Sequence, residues 1–300
     1  MKSDQLLYHY CSSPTAFAIL QSRTIRLSAL SAANDTLEGR VLGKVFSEMI
    51  SCTTLAKGVA DVASVIAEGY PESTEGFALC LSEDGDLLSQ WRAYARDGTG
   101  VSIGFSPEQL TVDHGTVNFG AKYFELTKVE YGEEGLRENL FPVVEALQKS
   151  FSEYGEFITL NEGITRERAI AALADREGDT QGLFKGQESS PGLLSQLLSL
   201  LAPLHFRIYS TKPRPFHEER EWRLLRYRHR VPLNEVEYFA DDSAIRPYIP
   251  CLIADPAKNA LREVILGPKH SSNINWVRAF LVSAGLSHVH VRRSTISSYR

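Results

Sequence analysis

The chain is poor in sulfur, with four cysteines and two methionines among 300 residues. Cys11, Cys52, Cys80 and Cys251 are far apart and form no C-x-x-C pair. A zinc knuckle and a disulfide framework are therefore without support, and reduced thiols are expected. Long apolar runs are also lacking. The opening MKSDQLLYHYCSS is too polar for a secretory signal, and no stretch approaches the ~18 apolar residues of a membrane helix, which points to a cytoplasmic protein with no membrane partner. H-E-x-x-H and G-x-x-x-x-G-K-[S/T] are absent, and with them the usual anchors of zincin and P-loop chemistry. There is no internal repeat and no long low-complexity tract.

What is present is an ordinary globular composition, 43% hydrophobic and 23% charged, enough for a sizeable core. The net charge of -5 argues against coating nucleic acid with the whole surface. One segment departs from that balance. Between Phe206 and Arg230 stand Arg207, Lys212, Arg214, Arg220, Arg223, Arg226, Arg228 and Arg230 against Glu218, Glu219 and Glu221, a local excess of +5. Cations gathered around carboxylates suit an anionic ligand such as a pyrophosphate or a nucleic-acid backbone. An edge strand with solvated ion pairs explains the same run equally well.

Hydrophobic periodicity predicts a strand at LLYHY, then a helix from SSPTAFAIL with Ser13 as N-cap and Pro14 at its first position. TIRLSAL reads as a second strand, AANDTLEG as a turn, and much of 40–70 as helix. GFALCLS (76–82), DLLSQWRAYA and GVSIGFS (100–106) make a strand, helix, strand unit, and KYFELTKVEYG continues in strand character. Residues 133–208 are predominantly helical, with a polar interruption at DREGDTQGLFKGQESSPG. Strand patterns return at EWRLLRY, VEYFA, YIPCLIA and EVILGP, followed by the helix NINWVRAFLVSAG and the strand HVHVRR. A sheet drawn from both ends predicts one α+β domain over residues 1–300, with 133–208 as a helical insertion.

Several residues are candidates for chemistry. In EEREWRLLRY (218–227), strand alternation puts Glu219, Glu221 and Arg223 on one face and Trp222 and Leu224 on the other. His9 alternates with Tyr8 and Tyr10; its neutral ring offers a donor and an acceptor to a ligand hydroxyl, or serves as a satisfied structural group. Trp91 and Tyr94, three apart on a helix, would stack on a flat ring or pack in the core. Asn34 and Asp35 would position a polar substrate or form a capping turn. His288 and His290 share a strand face without a third ligand, so no metal is expected. GTGVSIG lies between a helix and a following strand, the reverse of the dinucleotide-fingerprint order, so Gly98 and Gly100 read as turn residues. LLSQLLSLLAPL (193–204) is leucine-rich at helical spacing and reads as core or subunit contact.

Taken in order, LYHYCS, LSALSAANDTLEG, CLSEDGDLLSQWRAYARDGTGVSIGF, FHEEREWRLL, EVILGP and the terminal STISSYR resemble the bacterial domain-of-unknown-function family 2971. Members of that family look like distant relatives of the ADP-ribosyltransferase fold. The resemblance implies an α+β fold with a split, mixed or antiparallel sheet and an inserted helical layer. It implies that His9 holds a ribose of NAD, that Glu221 is the catalytic carboxylate and that Glu219 orients the acceptor. Ser82 or Tyr94 would stand in the middle motif that contacts nicotinamide.

On this reading NAD is the substrate, with Arg220 and Arg223 near its diphosphate and a protein or nucleic acid as possible acceptor; a defence or toxin role is implied by analogy alone. A carboxylate facing the ribose suits the chemistry, because cleaving the nicotinamide bond builds positive charge there. Arg223, on the same strand face, would either spare Glu221 or neutralise it. Two alternatives come from the residues themselves. One is a non-catalytic nucleotide or nucleic-acid module built on the basic segment, and the other a metal-dependent phosphodiesterase using Asp35, Glu219 and Glu221.

Overall fold

A computed structural model describes residues 5–32, 40–110, 125–151, 159–174, 183–185, 196–197, 199–201, 204–229, 235–240, 244–253 and 260–296. The strands are β1 (Leu7–Cys11), β2 (Thr24–Ala29), β3 (Thr74–Ser82), β4 (Val101–Phe105), β5 (Glu125–Lys128), β6 (Glu130–Tyr131) and β7 (Thr159–Leu160). They continue with β8 (Phe184–Lys185), β9 (Thr211–Lys212), β10 (Glu221–His229), β11 (Glu237–Ala240), β12 (Ile245–Leu252), β13 (Leu261–Leu266) and β14 (His290–Arg293). A ten-stranded, mostly antiparallel sheet runs β11-β12-β2-β3-β1-β4-β13-β14, with β10 on β3 and β5 on β10. Both ends of the chain feed this sheet, as the hydrophobic pattern predicts.

The sheet forks at β3. β10 follows β3 along its whole length, from Glu221 opposite Ser82 to His229 opposite Thr74. By contrast, β2 meets β3 only at Ser28–Ala78 and Ala29–Phe77, and β1 meets it only at Tyr8–Ser82. β2 leaves to pair with β12 and β1 leaves to pair with β4. The backbone between these two departures has no ladder partner from either strand, and the candidate site is built there.

Alternation along the strands supplies two packing faces. One carries Leu79, Leu81, Leu224, Ile25, Leu27, Ile103 and Val264 against helices Ser13–Ser22 and Ile274–Ser283. The other carries Ala78 and Leu225 against helices Arg40–Ser51, Lys57–Ser73, Glu133–Phe151 and Leu204–Ile208. Leu197, Leu201 and Leu204 of the leucine-rich stretch are fully buried in that helical layer and belong to its core. A smaller cluster of Tyr10, Trp91, Ala95 and Ile265 seats helix Leu88–Tyr94 beside the fork. Among the described residues, no helix is long and apolar enough to cross a membrane.

Local details refine the expected boundaries. Ser12, not Ser13, caps the first helix, accepting from the Thr15 N–H, while the Ser13 hydroxyl donates to the Thr99 carbonyl. Beyond Ala32, the turn predicted at AANDTLEG (32–39), with Asn34 and Asp35, lies outside the described residues. Gly98 has φ +81°, and a Cβ on Gly100 would stand 2.3 Å from the Cys11 carbonyl oxygen. The glycines therefore serve a tight return of the helix onto β4. GVSIG (100–104) also has the spacing of a G-x-S-x-G nucleophile elbow, but Ser102 is fully buried in mid-strand, far from the exposed strand-to-helix turn an elbow requires.

Asp86 ties the terminal motif to this unit. Its carboxylate accepts from Trp91 Nε1 at 2.8 Å, Ser294 Oγ at 2.5 Å, and the Thr295 N–H and hydroxyl at 2.6 and 2.8 Å. Burial works to raise its pKa, but these donors outweigh it and hold the group below the usual carboxylate range. Asp86→Ala strands a buried indole N–H and frees the chain end. Urea denaturation is expected to show a loss of about 2–3 kcal/mol.

Candidate functional site

The E-x-E stretch does not lie on one strand. Residues Arg214–Glu219 form a 3₁₀ turn that ends on Arg220 at φ +43°, and β10 begins at Glu221. The left-handed residue turns the chain between the two glutamates, so simple alternation does not relate them. Two bonds pin the turn to the end of β3: Ser82 Oγ donates to the Glu219 carbonyl at 2.8 Å, and the Glu83 N–H to that of Arg220 at 3.2 Å.

Lys212 brings the two carboxylates together. Its ammonium lies 2.8 Å from Glu219 Oε2 and 2.7 Å from Glu221 Oε2. Its place is set by β9, which pairs in parallel with β6 so that Lys212 lies opposite Tyr131. The Tyr131 hydroxyl in turn accepts from the Glu221 backbone N–H at 2.7 Å. Arg223 adds Nε at 2.8 Å to Glu221 Oε1 and Nη2 at 3.3 Å to Oε2, and its Nη1 donates to the Tyr209 carbonyl at 2.8 Å. The Tyr209 ring packs where a side chain on Gly76 would be, 2.7 Å from a Cβ there, so β3 needs glycine at that point.

These charges are out of water: Arg223 is 1% exposed, Glu221 4% and Lys212 8%. Burial alone would raise the Glu221 carboxyl, but Arg223 and then Lys212 outweigh it and hold it at about 2. Burial likewise opposes charge on Lys212, and the two glutamates reverse that, raising it above its ordinary value. Glu221 and Lys212 are thus both charged, and the cluster sets two basic side chains against two acidic ones. Glu221 accepts three hydrogen bonds of the roughly four a carboxylate can take, leaving one acceptor position. Glu219 accepts one at each oxygen, from Lys212 and from the Tyr94 hydroxyl at 3.0 Å. Burial, then Glu219, push the Tyr94 pKa upward, so it stays a donor.

His9 fills the fork. Its Nδ1 lies 3.0 Å from the Cys80 carbonyl oxygen, a group that only accepts, so the ring carries its proton on Nδ1. Burial lowers its pKa below 6.5, the ring is neutral, and Nε2 is left as an acceptor. A side chain here replaces the ladder bond that β1 does not make to β3.

His9, Glu219, Glu221, Arg223 and Tyr94 line one cavity of about 280 Å³, together with Lys212, Tyr8, Tyr10, Gln90, Cys80, Phe216, Leu30 and Leu81. Ser82, Arg220 and Trp91 are not in its wall. Ser82 is 2% exposed and holds the turn; Trp91 is fully buried, edge-on to Tyr10 at 4.9 Å. The residue that joins Tyr94 at the cavity is Gln90, four before it on the same helix face, rather than Trp91. Lys212, Gln90 and Tyr131 were not singled out from the sequence. Lys212 was visible only as one cation of the basic run, and its partners are a matter of tertiary placement.

Several members of the basic run have carboxylate partners. Arg207 lies 3.9 Å from Glu130 and Arg214 3.4 Å from Glu134, and Arg226 pairs with Glu235. Among the described residues no group of three His, Cys, Asp or Glu side chains is arranged to hold a metal ion. Between Glu219 and Glu221 the Lys212 ammonium already occupies the position of a bridging cation.

Residues 90–224 match the model of a family described as Protein of unknown function (DUF2971). That segment contains Gln90, Tyr94, Lys212, Glu219, Glu221 and Arg223, while His9 and the motifs EVILGP and STISSYR lie outside it. No curated protein and no solved structure matches the chain.

Removing the cation from a buried cluster leaves unpaired charge, so Lys212→Met is expected to cost about 3–5 kcal/mol in denaturant unfolding. Adding Glu219→Gln to it should restore part of the loss. Glu221 titrates at about 2 when folded against an ordinary 4.5, so its pairing stabilises the fold fully above pH 4.5. That contribution is lost as pH falls from 4.5 towards 2. Wild-type melting temperature should drop across this window, and a Glu221→Gln variant should drop less.

Proposed function

We propose that the chain cleaves the bond between nicotinamide and ribose in NAD, passing the ADP-ribosyl group to an acceptor or to water. The observation that carries this reading is the meeting of neutral His9, from the first strand, with Glu219 and Glu221 on one cavity at the fork of the sheet. In the reaction the C1′–N bond breaks and its electron pair leaves with the ring nitrogen, which becomes neutral. Positive charge develops on C1′, and the oxygen of water or of an acceptor hydroxyl bonds there and gives up its proton.

Each residue has a part that its surroundings permit. Glu221, ionised at about 2, uses its remaining acceptor position for the ribose 2′-hydroxyl and its charge against the developing oxocarbenium ion. Glu219, more accessible and with acceptor capacity on both oxygens, receives the incoming proton. His9 Nε2 accepts from a further ribose hydroxyl. The pairing with Arg223 does not disable Glu221 on this reading; it keeps the carboxylate ionised and fixed in direction.

Purified protein should release nicotinamide from NAD, with or without an added acceptor. Glu221→Gln should lower that release by about a thousandfold at unchanged secondary structure by circular dichroism. Equal turnover by wild type and variant would overturn the assignment. Because His9 titrates below its ordinary 6.5, kcat/KM should stay level as the pH is lowered through 6.5. An acid limb centred there would place a proton on His9 that the mechanism does not use.

A further inference from the structure

We infer that Gln90 reads an amide edge on the bound base, and that the cavity takes the nucleoside end of its substrate while phosphate stays outside. This rests on the glycosidic reading above and specifies what that site recognises. Gln90 is 7% exposed, lines the cavity, and its carboxamide makes no hydrogen bond among the described residues. Buried amides are ordinarily satisfied, so a nearly buried one in a cavity wall with no partner in the protein is available to pair with something that enters. A primary amide gives donors and an acceptor in one plane. Its complement is a flat group with an acceptor beside a donor, such as the carboxamide of nicotinamide.

The walls agree with a flat base and disagree with phosphate. Tyr8, Tyr10, Tyr94 and Phe216 offer aromatic surface, which suits a planar ring and favours a cationic pyridinium. Both cations in the wall are committed, Lys212 to Glu219 and Glu221, and Arg223 to Glu221 and the Tyr209 carbonyl. The least covered charge of the cluster is the Glu219 carboxylate, its side chain 12% exposed, which repels an entering phosphate. At about 280 Å³ the cavity is smaller than the ~300–1,000 Å³ typical of drug-sized ligands, room for a base and ribose rather than a whole dinucleotide.

The test compares release of the base from NAD, from nicotinamide riboside and from the 3-acetylpyridine analogue of NAD, in which a methyl ketone replaces the amide. Wild type should cleave nicotinamide riboside with a kcat/KM within about tenfold of that for NAD. Gln90→Met should raise KM for NAD about ten- to a hundredfold with kcat little changed, and should affect the acetylpyridine analogue much less. Gln90→Glu, which keeps an acceptor and loses the donor, gives the same comparison should Gln90→Met fail to fold. A strong preference for NAD over the riboside, about a hundredfold or more, or an unchanged KM in the Gln90 variants, overturns this inference alone. Release from none of the three substrates by wild type overturns the glycosidic reading itself, and this inference with it.

Discussion

One ammonium holds the fork of the sheet together chemically. Lys212 stands within 2.8 Å of Glu219 and 2.7 Å of Glu221, and those glutamates come from a 3₁₀ turn and from the first residue of β10. Carboxylates this close would repel and take up a proton if left alone in a buried site. With Lys212 and Arg223 beside it Glu221 stays charged, and the polar end of β10 is compatible with the apolar strand that follows. The parallel pairing of β6 with β9 puts the lysine there, and the Tyr131 hydroxyl secures the backbone of Glu221 from the same side.

Around that cluster the sheet provides an opening without a loose edge. β1 and β2 each touch β3 briefly and then depart to different partners. His9 caps the backbone carbonyl exposed by that departure. The cavity therefore lies between two apolar clusters, one holding helix Leu88–Tyr94 and the other the larger helical layer. Its walls are positioned by packed elements, so Gln90, Tyr94 and His9 are presented from a rigid frame. Proposed glycosidic chemistry draws on this arrangement because neutral His9 and ionised Glu221 both follow from burial and near neighbours.

Much of the element order was legible. β3, helix Leu88–Tyr94, β4 and the hydrophobic half of β10 follow from simple periodicity and turn residues, because burial on a strand or helix repeats at a fixed spacing. The site was legible in part. His9, Glu219, Glu221, Arg223 and Tyr94 stood out by residue type and do share a cavity. Trp91 and Ser82 stood out equally, yet one packs under the cavity and the other fastens a turn. The basic run suggested a cationic surface, and carboxylates distant in sequence, Glu130, Glu134 and Glu235, pair with several of its members.

By itself the amino-acid sequence determined the local elements, the mixed α+β character and the residues able to carry charge or hydrogen bonds. Those depend on neighbours a few positions apart. Only the tertiary structure decided which charges meet, that Arg220 breaks the strand between the two glutamates, that Lys212 rather than an arginine bridges them, and that Gln90 joins Tyr94 at the cavity. Coulomb interaction and desolvation depend on distance and burial in space, and strand periodicity carries no record of either.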